Sequence, residues 1–193
     1  EKYDEWKDDT VFIDDVMKFL DNVMSDFINR APDSFSNAKY SAMRERSVGL
    51  GVMGLHSFFQ QKNIPFGSVM SKVWNQKIFK HIQEKADQAS VKLAEERGPC
   101  PDAEEYGIKE RFSNKTAIAP TASISIICGG ASPGVEPIAA NSYTHKTLSG
   151  SFNVKNRYLE EILESHGKND DETWSSITTN QGSISHLDFL TDL

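Results

Sequence analysis

Apolar side chains recur at steps of three and four in the first part of the chain. The run from about Asp9 to Asn29 predicts an amphipathic helix. It is expected to end at Ala31-Pro32, because the residue before a proline is pushed out of the helical region. A polar connection is expected over residues 33–38. The positions predicted to face the core are Ile13, Val16, Leu20, Val23 and Phe27.

A longer helix is predicted in the middle of the chain. It should begin at Ser68, a residue type that favours the N-cap, and end at Gly98-Pro99, since glycine and then proline commonly follow a helix. Its single apolar stripe consists of Trp74, Ile78, Ile82, Ala86, Ala89 and Leu93. His81 lies one step from that stripe, which favours a structural or solvated side chain over a ligand.

Shorter elements are predicted around this helix. Helices are expected at Leu55–Gln61, within 101–113 and within 153–166, where Gly167 is the predicted cap. The tail from Ser175 is rich in Thr, Ser, Asn and Gly and predicts mostly loop. Two apolar runs, 47–54 and 116–120, have the composition of buried strands. Strands alternating with helices predict an α/β fold.

Three glycines in the first strand run match the letters of a dinucleotide-binding fingerprint. Gly49, Gly51 and Gly54 have the spacing G-x-G-x-x-G. However, the run has no separate strand before it, and position 74, about 20 residues on, is Trp rather than a carboxylate. Tight packing of a strand on a helix is therefore the favoured interpretation, and a dinucleotide site is the alternative.

Composition and charge narrow the classes of protein. The 193 residues suit one large domain or two small ones, and the net charge is 21 − 28 = −7 without a basic cluster. This argues against electrostatic binding of nucleic acid, and the apolar runs are too short for a membrane span. Two cysteines form no metal-binding or disulfide spacing, so we expect a cytoplasmic protein. The first residue is not Met, which favours an internal piece of a longer polypeptide over a trimmed complete domain.

Candidate chemistry is concentrated between Asn114 and Pro137. A strand predicted to end at Pro120 is followed by small and hydroxyl-bearing residues over 121–125. Ligands in α/β folds bind at the carboxyl ends of strands, where exposed backbone N–H groups and hydroxyls can hold a phosphate. Ordinary turn chemistry is the alternative explanation of such a composition.

The same stretch resembles a known family. Residues 114–123, Asn-Lys-Thr-Ala-Ile-Ala-Pro-Thr-Ala-Ser, and 134–137, Gly-Val-Glu-Pro, resemble the substrate-phosphate segment of ribonucleotide reductase large subunits. Residues 44–54, 148–152 and 182–187 also resemble that family, specifically its class I members. These stretches follow the family's order along the chain, and their joint occurrence is specific.

The resemblance implies a fold, a substrate and a site. Residues 1–193 are expected to be part of the family's ten-stranded α/β barrel, with the domain's true boundaries outside the chain. The substrate is a ribonucleoside diphosphate, which the full enzyme converts to the deoxyribonucleotide. The implied phosphate-binding residues are Pro120, Thr121, Ala122, Ser123 and Ile124. Ile124 departs from the hydroxyl residue of many relatives, for which Ser125 is expected to compensate, and Glu136 is expected to support the loop.

The catalytic groups of the family are not in this sequence. The radical cysteine lies in an Asn-x-Cys-x-Glu motif and the radical relay uses an adjacent tyrosine pair, and the chain contains neither. Cys100 and Cys128 lie in other contexts and are interpreted as unreactive thiols. We therefore assign the chain no catalytic residue, metal ligand or cofactor, and the isolated chain is expected to be inactive.

The resemblance also implies partners. These are the remainder of the large subunit and a small subunit that carries the radical metallocofactor. A barrel cut open exposes strand edges, so self-association of the isolated chain is expected. A noncatalytic component of a split reductase is one alternative. Another is the cobalamin-dependent class, whose loop usually reads Pro-Thr-Gly-Thr, whereas Ala122-Ser123 stand here.

Overall fold

The computed structural model describes residues 2–147 and 150–190. The chain divides into two compact units, Glu1–Glu136 and Pro137–Leu193. Leu148 and Ser149, which begin one of the stretches that resemble the reductase family, lie outside the described residues, as do the last three residues of the tail.

The first unit is mainly helical. Its helices are α1 (Tyr3–Trp6), α2 (Phe12–Arg30), α3 (Ser36–Glu45), α4 (Leu55–Gln61), α5 (Val69–Arg97), α6 (Pro101–Glu105) and α7 (Ala122–Ile127), with a 3-10 turn at Asp33–Phe35. The predictions of α2, α4, α5 and α6 are confirmed. Helices α1, α3 and α7 were not predicted, and α3 begins within the polar connection expected over residues 33–38.

Helix α5 has the ends and the buried face that its sequence predicts. The Ser68 side chain accepts a hydrogen bond from the Ser71 N–H at 3.1 Å, and Gly98 follows the last turn with φ +87°. Ile78, Ile82, Ala86, Ala89 and Leu93 are buried in the main core, where Trp74 packs against them at the edge. One apolar stripe therefore joins this helix to α2 and α4.

Helix α2 buries only part of its predicted stripe. Ile13 and Met17 are in the core, whereas Val23 and Phe27 are 51% and 38% exposed. The prediction that Val23 and Phe27 face the core is therefore wrong. The buried position in this half of the helix is Asp21, which is 0% exposed and contacts arginines rather than apolar side chains.

The two predicted strands lie side by side, but they form only a parallel bridge between Leu50 and Thr116. Val48 N–H donates to the Asn114 carbonyl at 3.0 Å, and Ala117 N–H donates to the Leu50 carbonyl at 3.1 Å. The first run is half-buried, and residues 116–120 are exposed. The prediction of two buried strands in an α/β sheet is therefore wrong for the described residues, which contain no closed barrel. Parallel strands normally occur in sheets that are covered on both faces. Here the two segments have only each other as bridge partners among the described residues.

The second unit combines a hairpin with two helices. Strands β1 (Ser142–Thr147) and β2 (Gly150–Lys155) pair antiparallel and are followed by α8 (Arg157–Ser165), α9 (Asp171–Thr179) and a 3-10 turn at Asp188–Leu190. The small core of the unit consists of Leu159, Leu163, Trp174 and Ile177. Helix α8 and its Gly167 cap were predicted, but the hairpin was not. The loop predicted from Ser175 is wrong over α9.

Candidate functional site

The residues proposed to hold phosphate form a turn that leads into helix α7. Thr121 is the N-cap with left-handed backbone angles (φ +51°, ψ +28°), and the N–H of Ser125 donates to the Thr121 carbonyl at 2.9 Å. Pro120, Ala122, Ser123 and Ile124 are exposed. The N–H groups of Ala122, Ser123 and Ile124 belong to the first turn, where no intrahelical acceptor exists. The turn thus presents donors to its surroundings without a basic side chain of its own.

The hydroxyls at the two ends of this turn support it from within. Thr121 Oγ1 accepts a hydrogen bond from the Gly134 N–H at 2.7 Å. Ser125 is 2% exposed, and its hydroxyl donates to the Ala122 carbonyl at 3.1 Å. The structure therefore places Ser125 beneath the turn, while the exposed hydroxyl is that of Ser123.

Of the Gly-Val-Glu-Pro stretch, the glycine is the residue next to the turn. A Cβ atom at Gly134 would lie 2.9 Å from the Ala119 carbonyl oxygen, and the φ of this residue is +50°. Glu136 is exposed, and its backbone N–H donates to the Pro133 carbonyl at 3.2 Å. Among the described residues, no hydrogen bond or ion pair joins the Glu136 carboxylate to residues 120–125.

The glycine pattern at 49–54 is explained by packing. A Cβ at Gly49 would lie 2.8 Å from the Ala117 Cβ, and one at Gly51 would lie 2.6 Å from the Ala117 carbonyl oxygen. Gly54 precedes α4 with φ +78°, and its N–H donates to the Ser132 carbonyl at 2.7 Å. The close contact is thus between two extended segments and not, as predicted, between a strand and a helix. At Gly51, the position where the fingerprint's second glycine would let a pyrophosphate approach, the space is occupied by the Ala117 backbone.

The two thiols have different surroundings. Cys100 is fully buried, and its N–H donates to the Glu110 carbonyl at 3.0 Å. Cys128 is exposed at the end of α7. It lines a cavity of about 430 Å³ together with Tyr3, Phe58 and other largely apolar residues of the first unit. Such a lining does not suit a phosphate, because it offers few hydrogen-bond donors.

Other candidate sites are not present in the described part of the chain. No three His, Cys, Asp or Glu residues among 2–147 and 150–190 are arranged to hold a metal ion. None of the helices described there is long and apolar enough to cross a membrane. His81 shares a hydrogen bond of 3.1 Å with the Tyr3 hydroxyl and stacks on Trp6, which makes it a structural residue.

Comparison with known proteins identifies the class to which this turn and its neighbouring segments belong. The chain matches the family described as ribonucleotide reductase, barrel domain, over residues 2–110 and 101–192. It therefore belongs to that family. The resemblance to class I large subunits noted in the sequence is confirmed by relatives and by a solved structure.

Three similar proteins illustrate the match. The ribonucleoside-diphosphate reductase large subunit of Invertebrate iridescent virus 6 is 49% identical over 189 residues, which is 97% of this chain and 20% of the relative. The vitamin B12-dependent ribonucleoside-diphosphate reductase of Thermoplasma acidophilum is 37% identical over 163 residues, which is 76% of this chain and 21% of that relative. The solved Actinobacillus ureae class Id ribonucleotide reductase alpha subunit has a TM-score of 0.88 and 40% identity, covering 99% of this chain and 35% of that one. The chain thus spans about a fifth to a third of the length of these proteins.

Sequence reasoning missed the contact of Gly134 with the turn and a pair of buried serines in the same unit. Gly134 lies in a stretch that was noted, although the supporting role was expected of Glu136. Ser57 and Ser132 are fully buried and hydrogen-bonded to each other's backbone. Neither stands in a pattern that a single sequence would reveal, since one is an isolated serine in the short helix α4 and the other lies in a loop.

Proposed function

We propose that this chain is the part of a ribonucleoside-diphosphate reductase large subunit that binds the diphosphate of its substrate. The observation that carries the proposal is the exposed first turn of α7, which directly follows the extended segment 114–120. In this turn Thr121, Ala122 and Ser123 resemble the family's phosphate loop, from which Ile124 departs. The full enzyme converts ribonucleoside diphosphates to deoxyribonucleoside diphosphates by thiyl-radical chemistry, and its radical cysteine is not among the residues of this chain.

The proposed binding mode relies on hydrogen bonds more than on charge. The N–H groups of Ala122, Ser123 and Ile124 and the Ser123 hydroxyl would donate to phosphate oxygens, as donors of a tight turn do in other phosphate sites. The Thr121 hydroxyl accepts from Gly134 and keeps its own hydrogen for a further oxygen. Ile124 contributes its backbone only, and the buried Ser125 supports the turn.

The proposal extends to the barrel and to the other subunit. The segments that meet at Leu50 and Thr116 would be neighbouring parallel strands of the ten-stranded barrel, with their outer edges paired by the remainder of the large subunit. A small subunit would supply the radical metallocofactor, for which we propose no ligand in this chain. The two free thiols fit a cytoplasmic enzyme.

Class I is the class that we propose. Ala122-Ser123 differ from the Gly-Thr that is usual in the cobalamin-dependent class, and the class Id alpha subunit covers nearly the whole chain. The Thermoplasma acidophilum relative matches a smaller share of the chain at lower identity than the viral relative does.

Self-association of the isolated 193 residues is expected. Ile118 and Ile127 are 77% and 81% exposed, and exposed apolar side chains of this kind favour association. Light scattering at tens of micromolar, roughly the range where exposed apolar surfaces associate, should show a dimer or larger species. Replacing both isoleucines by Lys should shift the population toward the monomer. A compact monomer of the unaltered chain at that concentration would contradict the expectation.

Replacing Ser123 by Ala in the full-length large subunit tests the proposed function. Loss of a hydrogen bond to a charged phosphate should weaken nucleoside diphosphate binding by roughly 1–3 kcal/mol, or about 5- to 150-fold in Kd. Equilibrium binding of a labelled nucleoside diphosphate gives the Kd directly. Ser36→Ala, which alters an exposed serine at the start of α3, is the matched control and should leave the Kd unchanged. An unchanged Kd for Ser123→Ala would remove the role given to this residue.

A further inference from the structure

Two buried serines bind each other's backbone across 75 residues of sequence. The Ser57 N–H donates to Ser132 Oγ at 3.1 Å, and the Ser132 N–H donates to Ser57 Oγ at 2.9 Å. Both residues are 0% exposed. We call this reciprocal pair the serine clasp. It ties the first turn of α4 to the segment that follows α7.

The clasp is connected to the phosphate loop through three further residues. The Ser132 carbonyl accepts from the Gly54 N–H at 2.7 Å, so Ser132 is fixed through its N–H, its hydroxyl and its carbonyl. Two residues later, the Gly134 N–H donates to Thr121 Oγ1 at 2.7 Å. Thr121 is the N-cap at which the proposed phosphate-binding turn begins. Hydrogen bonds at Ser132 and at Gly134, joined by the backbone of residues 132–134, therefore connect α4 to the loop.

We propose that the serine clasp positions the phosphate-binding loop, so that Ser57 and Ser132 are positioning residues for substrate binding. This inference rests on the proposed function of residues 120–124. Thr121 is a β-branched residue with φ +51°, a conformation that is strained for such side chains and persists only where the surroundings fix it. The bond from Gly134 supplies that restraint, and the clasp fixes the backbone that carries Gly134.

Removing one hydroxyl of the clasp should act on the loop through this path. Ser57→Ala leaves the buried Ser132 N–H without its acceptor, and Ser132→Ala does the same to the Ser57 N–H. Burying an unpaired N–H is costly, so the 131–134 segment is expected to shift in order to pair it elsewhere. The Gly134 N–H then no longer holds the Thr121 hydroxyl, and the donors of the turn lose their common orientation.

Ser90 provides a matched control. It is also 0% exposed, and its Oγ accepts from the N–H groups of Arg111 and Phe112 at 3.1 and 3.4 Å. Ser90→Ala therefore removes an equally buried acceptor of backbone N–H groups within the same unit. Its hydrogen bonds lead to α5 and residues 111–112, and not to residues 120–134.

The test uses the full-length large subunit and two measurements. The first is the Kd for a nucleoside diphosphate, and the second is hydrogen exchange at the amides of residues 121–124. Ser57→Ala and Ser132→Ala are each expected to raise the Kd about three- to tenfold, the effect of roughly one buried hydrogen bond, and to speed exchange in the loop. The increases in Kd and in exchange rate should not add in the double variant, because both substitutions disrupt the same reciprocal pair of hydrogen bonds. Ser90→Ala should change neither quantity.

The outcomes separate the clasp from the proposed function. A Kd raised by Ser123→Ala but not by the clasp variants would overturn the clasp and leave phosphate binding intact. An equal rise for Ser90→Ala would overturn the clasp as well, since the effect would be general destabilisation. Faster loop exchange in the clasp variants, with a Kd that responds neither to them nor to Ser123→Ala, would overturn phosphate binding by the loop and leave the contact between clasp and loop intact. If Ser57→Ala does not fold, Ser57→Cys keeps the volume with a much weaker acceptor and is expected to give the same contrast.

Discussion

Replacing Asp21 by Asn is expected to destabilise the first unit by about 3–5 kcal/mol, the effect of removing one partner from a buried ion pair. Asp21 lies on α2 and is fully buried. Its carboxylate accepts from Arg46 Nη2 at 2.6 Å, from Arg97 Nη1 at 2.6 Å and from Arg111 Nε at 2.9 Å. Without the negative charge, three guanidinium groups would face one another around a neutral amide.

The Asp21 carboxylate and its three arginines also make the free energy of unfolding of the first unit depend on pH. Burial alone would raise the pKa of Asp21, but the hydrogen bonds from Arg111, Arg46 and Arg97 outweigh it and hold the pKa below its ordinary value of 3.8. The unfolded chain therefore binds this proton more readily than the folded chain does. The stabilisation is fully present above pH 3.8 and is lost as the pH falls through the lowered pKa of the folded state. Asp21→Asn should flatten this part of the acid unfolding curve.

Asp26 on the same helix is the control for Asp21. It pairs with Arg30 at 3.5 Å, and both side chains are well exposed. Asp26→Asn should change the free energy of unfolding by less than about 0.5 kcal/mol, as is usual for exposed pairs one turn apart. Hydrogen exchange in urea reports α2 and α5 separately from the second unit. Equal effects of the two substitutions would show that the arginine cluster is not what stabilises α2.

The Asp21 cluster also explains where the prediction of α2 was wrong. Periodicity predicted the helix correctly but placed Val23 and Phe27 on its buried face. The polar interior beside them depends on Arg46 and Arg111, which are 25 and 90 residues from Asp21 in the sequence. No local pattern indicates that these charges converge, because helical periodicity describes one element at a time.

Helix α7 was missed for a related reason. Its sequence, Ala-Ser-Ile-Ser-Ile-Ile, is rich in β-branched and hydroxyl residues, which favour strands and turns over helices. The helix depends on the left-handed cap at Thr121 and therefore on Gly134, thirteen residues later. Tertiary contacts thus override local propensity here. Helix α5, in contrast, carries both its cap and its apolar stripe in its own sequence and was predicted correctly.

The candidate phosphate site also combines residues that the sequence indicated with residues that it did not. Resemblance to the family drew attention to residues 120–124, and the structure places them on an exposed turn where donors are available. The supporting residues Ser57, Ser132 and Gly134 come from distant parts of the chain. Their roles arise from hydrogen bonds between separate segments, which composition and spacing do not encode.

Replacing Gly51 by Ala should destabilise the first unit by about 1–3 kcal/mol, the usual effect of overpacking. The new Cβ would lie 2.6 Å from the Ala117 carbonyl oxygen, which is a backbone atom and cannot rotate away. The two extended segments must then separate, and this strains the bridge between Leu50 and Thr116. The φ of Gly51 is outside the left-handed region, so the expected effect is steric only.

Gly67 is the matched control for this substitution. It also lies outside the left-handed region, and a Cβ there meets nothing within 4 Å. Gly67→Ala should therefore be neutral or stabilise by up to about 1 kcal/mol through the unfolded state. Urea unfolding followed by hydrogen exchange at residues 48–51 and 114–117 gives both values. Similar stability for the two variants would contradict the close approach of these segments.

Gly51→Ala should also displace the proposed phosphate-binding turn. Ala117 lies three residues before Pro120, so a displaced 114–119 segment carries the phosphate-binding turn with it. It also moves the Ala119 carbonyl against which Gly134 packs, and hence the Gly134 N–H that holds the Thr121 hydroxyl. In the full-length large subunit, Gly51→Ala is expected to weaken nucleoside diphosphate binding while Gly67→Ala leaves the Kd unchanged. A destabilised Gly51→Ala subunit that binds the nucleotide normally would show that the turn is held independently of the bridge between the two segments.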